Sequence, residues 1–149
     1  MESHHPKAET AWWSRCFGAL AGGFGGLAVG LGAYRAHGLK NALQAAGVDP
    51  IEITDRVANL GIAVEYTLIH VVAIVALLAM KELRFRYMPC LAFSCGILLF
   101  SGSLTLHTVC RYSVPPLLPP AGGILLILGW LSLIVLAWIG PGAKQPANC

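Results

Sequence analysis

The chain has 149 residues, of which 56% are hydrophobic and 11% charged, against about 25% charged in an ordinary soluble domain. A chain this short has little interior in which to hide uncharged segments, so a soluble enzyme and a disordered chain are both excluded. The net charge of +3 comes from scattered loop residues with no basic, aromatic-interleaved stripe, which excludes a nucleic-acid partner.

The charges are segregated: residues 16–34, 66–80, 87–110 and 112–143 contain no Lys, Arg, Asp or Glu. A spanning helix needs about 20 mainly apolar residues, whereas the strands of a membrane barrel are half as long and alternate. The pattern predicts spans at roughly 12–34, 57–80, 88–109 and 120–139. The expected fold is all-α, an integral membrane four-helix bundle. It forms one domain over 12–140, with tails at 1–11 and 141–149 that look frayed at their ends.

Span one opens on Trp12 and Trp13, at the headgroup level that aromatics favour. Arg15 and Ala19-Leu20-Ala21 mimic a secretory signal and its cleavage site, but only about five apolar residues precede that site where a signal needs about 7–15. Hydrophobicity continues to Tyr34, so the segment reads as a retained span. Gly18, Gly22, Gly26 and Gly30 fall at i+4 spacing on one face, broadened by Gly23, Gly25 and Gly32. In lipid, small faces let helix backbones approach closely. Packing within the chain is the plainest expectation; pairing of two copies or an opening for a ligand are the alternatives.

The connection 35–56 is the longest. Leu39, Leu43 and Ala46 lie on one helical face, which predicts a short amphipathic segment in the membrane interface, ending at Gly47. Asp49-Pro50-Ile51-Glu52 then reads as a helix start, with Asp49 as cap, Pro50 first and Glu52 as reciprocal capping partner. Helix two would begin before the membrane and run about 30 residues. Within the membrane it carries Glu65, Tyr66 and His70, with Tyr66 and His70 on one face.

The loop after span two carries Lys81, Arg84 and Arg86 within a short stretch. With Lys7, Arg15 and Lys144 on the same side, it outweighs Arg35, Lys40, Arg56 and Arg111 on the other, so both termini are expected to be cytoplasmic. Tyr87 precedes span three, and Trp138 ends span four. Between those spans, Pro115, Pro116, Pro119 and Pro120 demand an extended connection, with the helix resuming near Ala121. The five cysteines form no CxxC and, with the histidines, match no metal-ligand spacing. Cys90 and Cys95 sit in an apolar run, where cysteine is a small buried hydrophobe.

Four segments stand out: Gly32-Ala33-Tyr34-Arg35-Ala36-His37-Gly38-Leu39-Lys40, Ala63-Val64-Glu65-Tyr66 with His70, Phe100-Ser101-Gly102-Ser103-Leu104, and Gly122-Gly123 with Gly129-Trp130. Together they resemble the domain-of-unknown-function 423 family of small membrane proteins, the YgdD-like proteins. The resemblance covers about 30–140. It implies four spans and a bacterial inner membrane, and no established activity. Arg35 stands where the family has a small residue, and Thr67 and Thr105 where an amide and a tyrosine would stand.

Ionisable groups within a span raise a functional hypothesis by default. Antiparallel spans bring Arg35, His37, Glu65, Tyr66, Ser103, Thr105 and His107 into one half of the bundle, with His70 deeper. Arg35, His37, Glu65, Tyr66, His70, Ser101 and Ser103 are the candidate polar cluster. The plainest reading is structural, Glu65 facing the bundle within reach of Arg35, Tyr34 or the span-three hydroxyls, or else sitting in an outward water-filled notch, and His70 bonded to Ser101 or a carbonyl. A sharper one is a proton or small-solute path along Glu65, Tyr66 and His70. A third makes His37 and His70 axial haem ligands, which would require an offset of helix two. No triad, HExxH or phosphate loop is present. The leading expectation is a non-catalytic accessory or assembly protein with no cofactor. Its expected partners are the lipid bilayer and a homo-oligomer or larger membrane complex. A transporter or channel is the alternative.

Overall fold

A computed structural model describes residues 6–83 and 85–139. All regular structure among these residues is helical: α1 (Pro6–His37), α2 (Leu39–Ala45), α3 (Pro50–Ala79), α4 (Tyr87–Val109) and α5 (Leu118–Ile139). Four of the helices are long and apolar enough to cross a membrane: Trp12–His37, Pro50–Ala79, Tyr87–Val109 and Leu118–Trp138. The expected tail at 1–11 is helical from Pro6 onward, and α1 shows no break at Trp12. The tail at 141–149, Lys144 and Arg84 lie outside the described residues.

The helix boundaries follow local chemistry. Asp49 caps α3 by accepting from the Ile51 amide at 2.8 Å, and Pro50, which has no amide hydrogen to leave unpaired, follows it. Glu52 does not close a capping box; its carboxylate is held by Arg56. Gly47 ends the α2 turn at φ +69, a left-handed conformation that favours glycine, and the Val48 amide returns to Leu43 O. α5 starts at Leu118 rather than near Ala121, because Pro119 and Pro120 occupy its first turn, where no intrahelical amide bond is lost.

The spans pack in sequence order, α1 on α3, α3 on α4 and α4 on α5. α1 and α5, which a closed four-helix bundle would set side by side, share no substantial packing. The main core joins Phe17 and Ala21 of α1, Ile74 and Leu77 of α3, Cys90, Phe93 and Ile97 of α4, and Leu126 of α5. α2 turns Leu39 and Leu43 onto Ile53 and Leu60. Its apolar face is thus buried against the protein and caps one end of the spans.

Glycines set the closest approaches, and they are mainly not those of the i+4 face. A Cβ on Gly122 of α5 would meet the Phe100 backbone nitrogen and, at 2.8 Å, Leu99 C; one on Gly96 would meet the Leu126 side chain. On α1, a Cβ on Gly25 would lie 3.5 Å from Val71, one on Gly32 3.5 Å from Val64, and one on Gly18 3.9 Å from Leu78. A Cβ on Gly22, Gly26 or Gly30 would meet nothing within 4 Å. α1 has one main neighbour, α3, so the rest of its glycine face is left open.

Candidate functional site

The expected polar cluster separates into three places. His70 of α3 is buried at 4% exposure, among Tyr66, Phe93 and Trp130. Its Nδ1 lies 2.6 Å from Tyr66 O, and its Nε2 accepts the Trp130 indole N–H at 3.0 Å. These partners fix a neutral imidazole with the proton on Nδ1, donated to the carbonyl. Ser101 is not its partner. Both ring nitrogens are engaged, and His37 ends α1 at the far edge of the span, so the structure does not bring the two histidines together. Among the described residues no group of three or more His, Cys, Asp or Glu is placed to hold a metal ion.

Four of the span hydroxyls close on their own helices. Thr67 donates to Ala63 O, Ser94 to Cys90 O, Ser103 to Phe100 O and Ser132 to Gly129 O, each closing on its own helix. Ser101 is buried, and its hydroxyl has no partner among the described residues. It borders a cavity of about 340 Å³ between α1, α3 and α4, otherwise lined mainly by apolar side chains such as Phe24, Ala28 and Leu98.

Arg35 and Glu65 occupy the outer side of the α1–α3 pair. Arg35 Nε donates to Val57 O at 2.9 Å, and the guanidinium lies over Gly61, where a Cβ would sit 2.8 Å from its central carbon. Glu65 is one turn further along, on the same side of α3. Of its two expected placements, Glu65 does not take the one that faces the bundle. The buried side of α3 runs through Ala63, Thr67, His70 and Ile74, and Glu65 lies opposite, on an exposed stripe with Ile62, Ile69 and Val72. It has no hydrogen-bond or ion-pair partner among the described residues. The span-three hydroxyls lie across the helix, and Arg35 is drawn to the Val57 carbonyl.

Arg56, counted in the sequence only as a loop charge, is the most engaged cation among the described residues. It is 7% exposed, pairs with Glu52 at 2.7 Å, and donates from Nη1 to His107 O at 2.8 Å and Thr108 O at 3.3 Å. It thereby satisfies carbonyls at the end of α4 that have no intrahelical partner. The i,i+4 spacing of Glu52 and Arg56 was the available signal.

Comparison with known proteins follows the same outline. Residues 31–123 match the family model described as "Protein of unknown function (DUF423)". A UPF0382 membrane protein of Haemophilus influenzae is 36% identical over 117 residues, covering 77% of this chain and 85% of that protein. The chain belongs to this family. The UPF0382 membrane protein YwdK of Bacillus subtilis is 34% identical, covering 74% of this chain and 86% of its own length. SSP2132 of Staphylococcus saprophyticus is 32% identical, covering 73% and 85%. No solved structure matches. The family match takes in most of α1's end, all of α2, α3 and α4, and the start of α5, so it spans Arg35, Arg56, Glu65 and His70.

Proposed function

We propose that this DUF423 protein is a non-catalytic accessory or assembly subunit of the bacterial inner membrane, and that it receives a transmembrane helix on the outer face of α1 and α3. The observation that carries this reading is Glu65 exposed beside open glycines. Fourteen residues separate it from Ala79, or about 21 Å of helix, which sets it about 9 Å inside a 30 Å hydrocarbon core. An ionised group near the centre costs about 3 kcal/mol on insertion scales, and a partner with donors offsets that cost. The contacts of Gly25 with Val71 and Gly32 with Val64 fix the register of α1 on α3, and they set Gly30 and Ala33 beside the level of Glu65. The face therefore offers open glycines on either side of the exposed Val29, with one acid on its wall. Both features favour helix association in lipid, one through close backbone approach and the other through a polar contact.

A transporter or proton channel would need that same acid on a shared axis of an oligomer. Within one chain, His70 is closed by Tyr66 and Trp130, and the span hydroxyls mostly close on their own carbonyls. Lys81 and Arg86 in the short α3–α4 loop favour a cytoplasmic position for both termini.

Native gel migration of the protein, expressed at its natural level and extracted in a mild detergent, tests the docking reading. The expected result is a species larger than one chain, converted to a single chain by Gly26→Leu and by Glu65→Leu while each variant keeps its melting temperature. Unchanged migration of both variants would contradict it.

A further inference from the structure

The opposite edge of the membrane carries a second feature, independent of the outer face. The start of α1, the end of α3 and the start of α4 enclose a cavity of about 330 Å³. Trp13, Phe17, Leu78 and Cys90 form its apolar part, and Arg86 and Lys81 its basic part. Arg86 precedes the first turn of α4 and makes no side-chain cap. One of its terminal nitrogens, Nη2, reaches Ser14 Oγ only at 3.4 Å. The other, Nη1, is buried and has no hydrogen-bond partner among the described residues.

A guanidinium N–H taken out of water without an acceptor is costly, and a cation in that position is best completed by an anion. Lys81 adds a second positive charge and Glu82 a negative one, so the rim carries net positive charge. The N-terminus of α4 adds partial positive charge at the same place. The level of the cavity restricts the anion further. α3 ends at Ala79, the apolar part of α1 starts at Trp12, and α4 starts at Tyr87, so all three meet at the headgroup level. Trp13 and Tyr87 are 43% and 44% exposed there, in the position of interfacial anchors. A free phosphate would leave the Trp13–Phe17–Leu78 wall uncovered, whereas the glycerol and first methylenes of a lipid would cover it. The volume is at the small end of ligand pockets, enough for a headgroup and the beginning of one chain.

We propose that this cavity binds an anionic phospholipid, with the phosphodiester on Lys81 and on the Arg86 guanidinium, which turns its buried Nη1 toward the anion, and the proximal acyl segment along Phe17 and Leu78. The site sits on the basic-loop side of the membrane, the side on which anionic lipids attract Lys and Arg.

The test uses the full chain in a neutral detergent and follows its melting temperature as lipid is added. The probes are phosphatidylglycerol, phosphatidylcholine with the same chains, and inorganic phosphate. Phosphatidylglycerol is expected to raise the melting temperature at lower concentration than phosphatidylcholine, and phosphate is expected to have no effect. Arg86→Gln should weaken the phosphatidylglycerol response by about fivefold or more, the contribution of one basic group near an anionic surface. Arg86→Lys should recover part of it. Arg111→Gln, at the other membrane edge, should leave it unchanged. Lys81→Gln is the second variant should Arg86→Gln fail to fold, and it should weaken the response in the same direction. An equal response to both lipids, or an Arg86→Gln protein that responds as the original does, would overturn the proposal. A response to inorganic phosphate as large as to the lipid would overturn the lipid assignment and leave a site for a free anion.

Discussion

At the residue scale, each polar group inside the spans is held by a specific hydrogen-bond partner or left without one, and the difference predicts what substitution does. Trp130→Phe keeps the ring packing on His70 and Phe93 but removes the donor to His70 Nε2. The buried acceptor is then unsatisfied, and thermal unfolding in detergent should show a loss of about 1–3 kcal/mol. Arg56→Lys keeps the charge but not the fork that reaches Glu52 and the two α4 carbonyls together. It should destabilise nearly as much as Arg56→Met, and near-complete retention of stability in the lysine variant would contradict the bridging role. Sequence alone places His70 and Tyr66 on one face, which helical spacing dictates. It does not place Trp130, sixty positions away, against Nε2, because that contact depends on how α5 leans on α4. Glu52 reads as a capping partner from its spacing to Asp49, yet a guanidinium one turn later competes better for a carboxylate than a single backbone amide does.

At the element scale, the four spans and the α3 start are legible because length, charge-free runs and the Asp-Pro cap are local signals. The glycines show where local signals end. An i+4 repeat specifies a face, but not which helix meets it. The tightest contact belongs to Gly122, which lacks a repeat of that kind and lies against the α4 backbone at Phe100. Gly122→Ala should cost about 1–3 kcal/mol or more, since backbone rather than a flexible side chain must move. Gly26→Ala meets nothing within 4 Å and should change the unfolding of the isolated chain by no more than about 0.5 kcal/mol. Comparable losses in the two variants would contradict the assignment of Gly122 to a packed seam and Gly26 to an open face.

At the scale of the whole molecule, the chain is a row of spans with α1 and α5 as its ends. That arrangement is not written in any one segment, since up-and-down helices with short connections suit a closed bundle equally well. It explains why Glu65 faces outward: α3 gives one side to α1 and another to α4, and the acid lies on the remaining side. It also joins the open glycines and the acid into one surface. The basic-loop assignment of topology belongs to this scale. In a cysteine-free background, a cysteine at 113 should react with a membrane-impermeant reagent in intact cells, and one at 81 should be protected. The reverse pattern would invert the orientation and leave the spans in place. The central claim, that the α1–α3 outer face holds a helix in the native membrane, is tested most directly by a photo-crosslinking side chain at position 26. Position 127 on the exposed side of α5 serves as the reference. A protein adduct of discrete mass is expected at 26, lost on Glu65→Leu, and none at 127. Lipid adducts alone at both positions would contradict it.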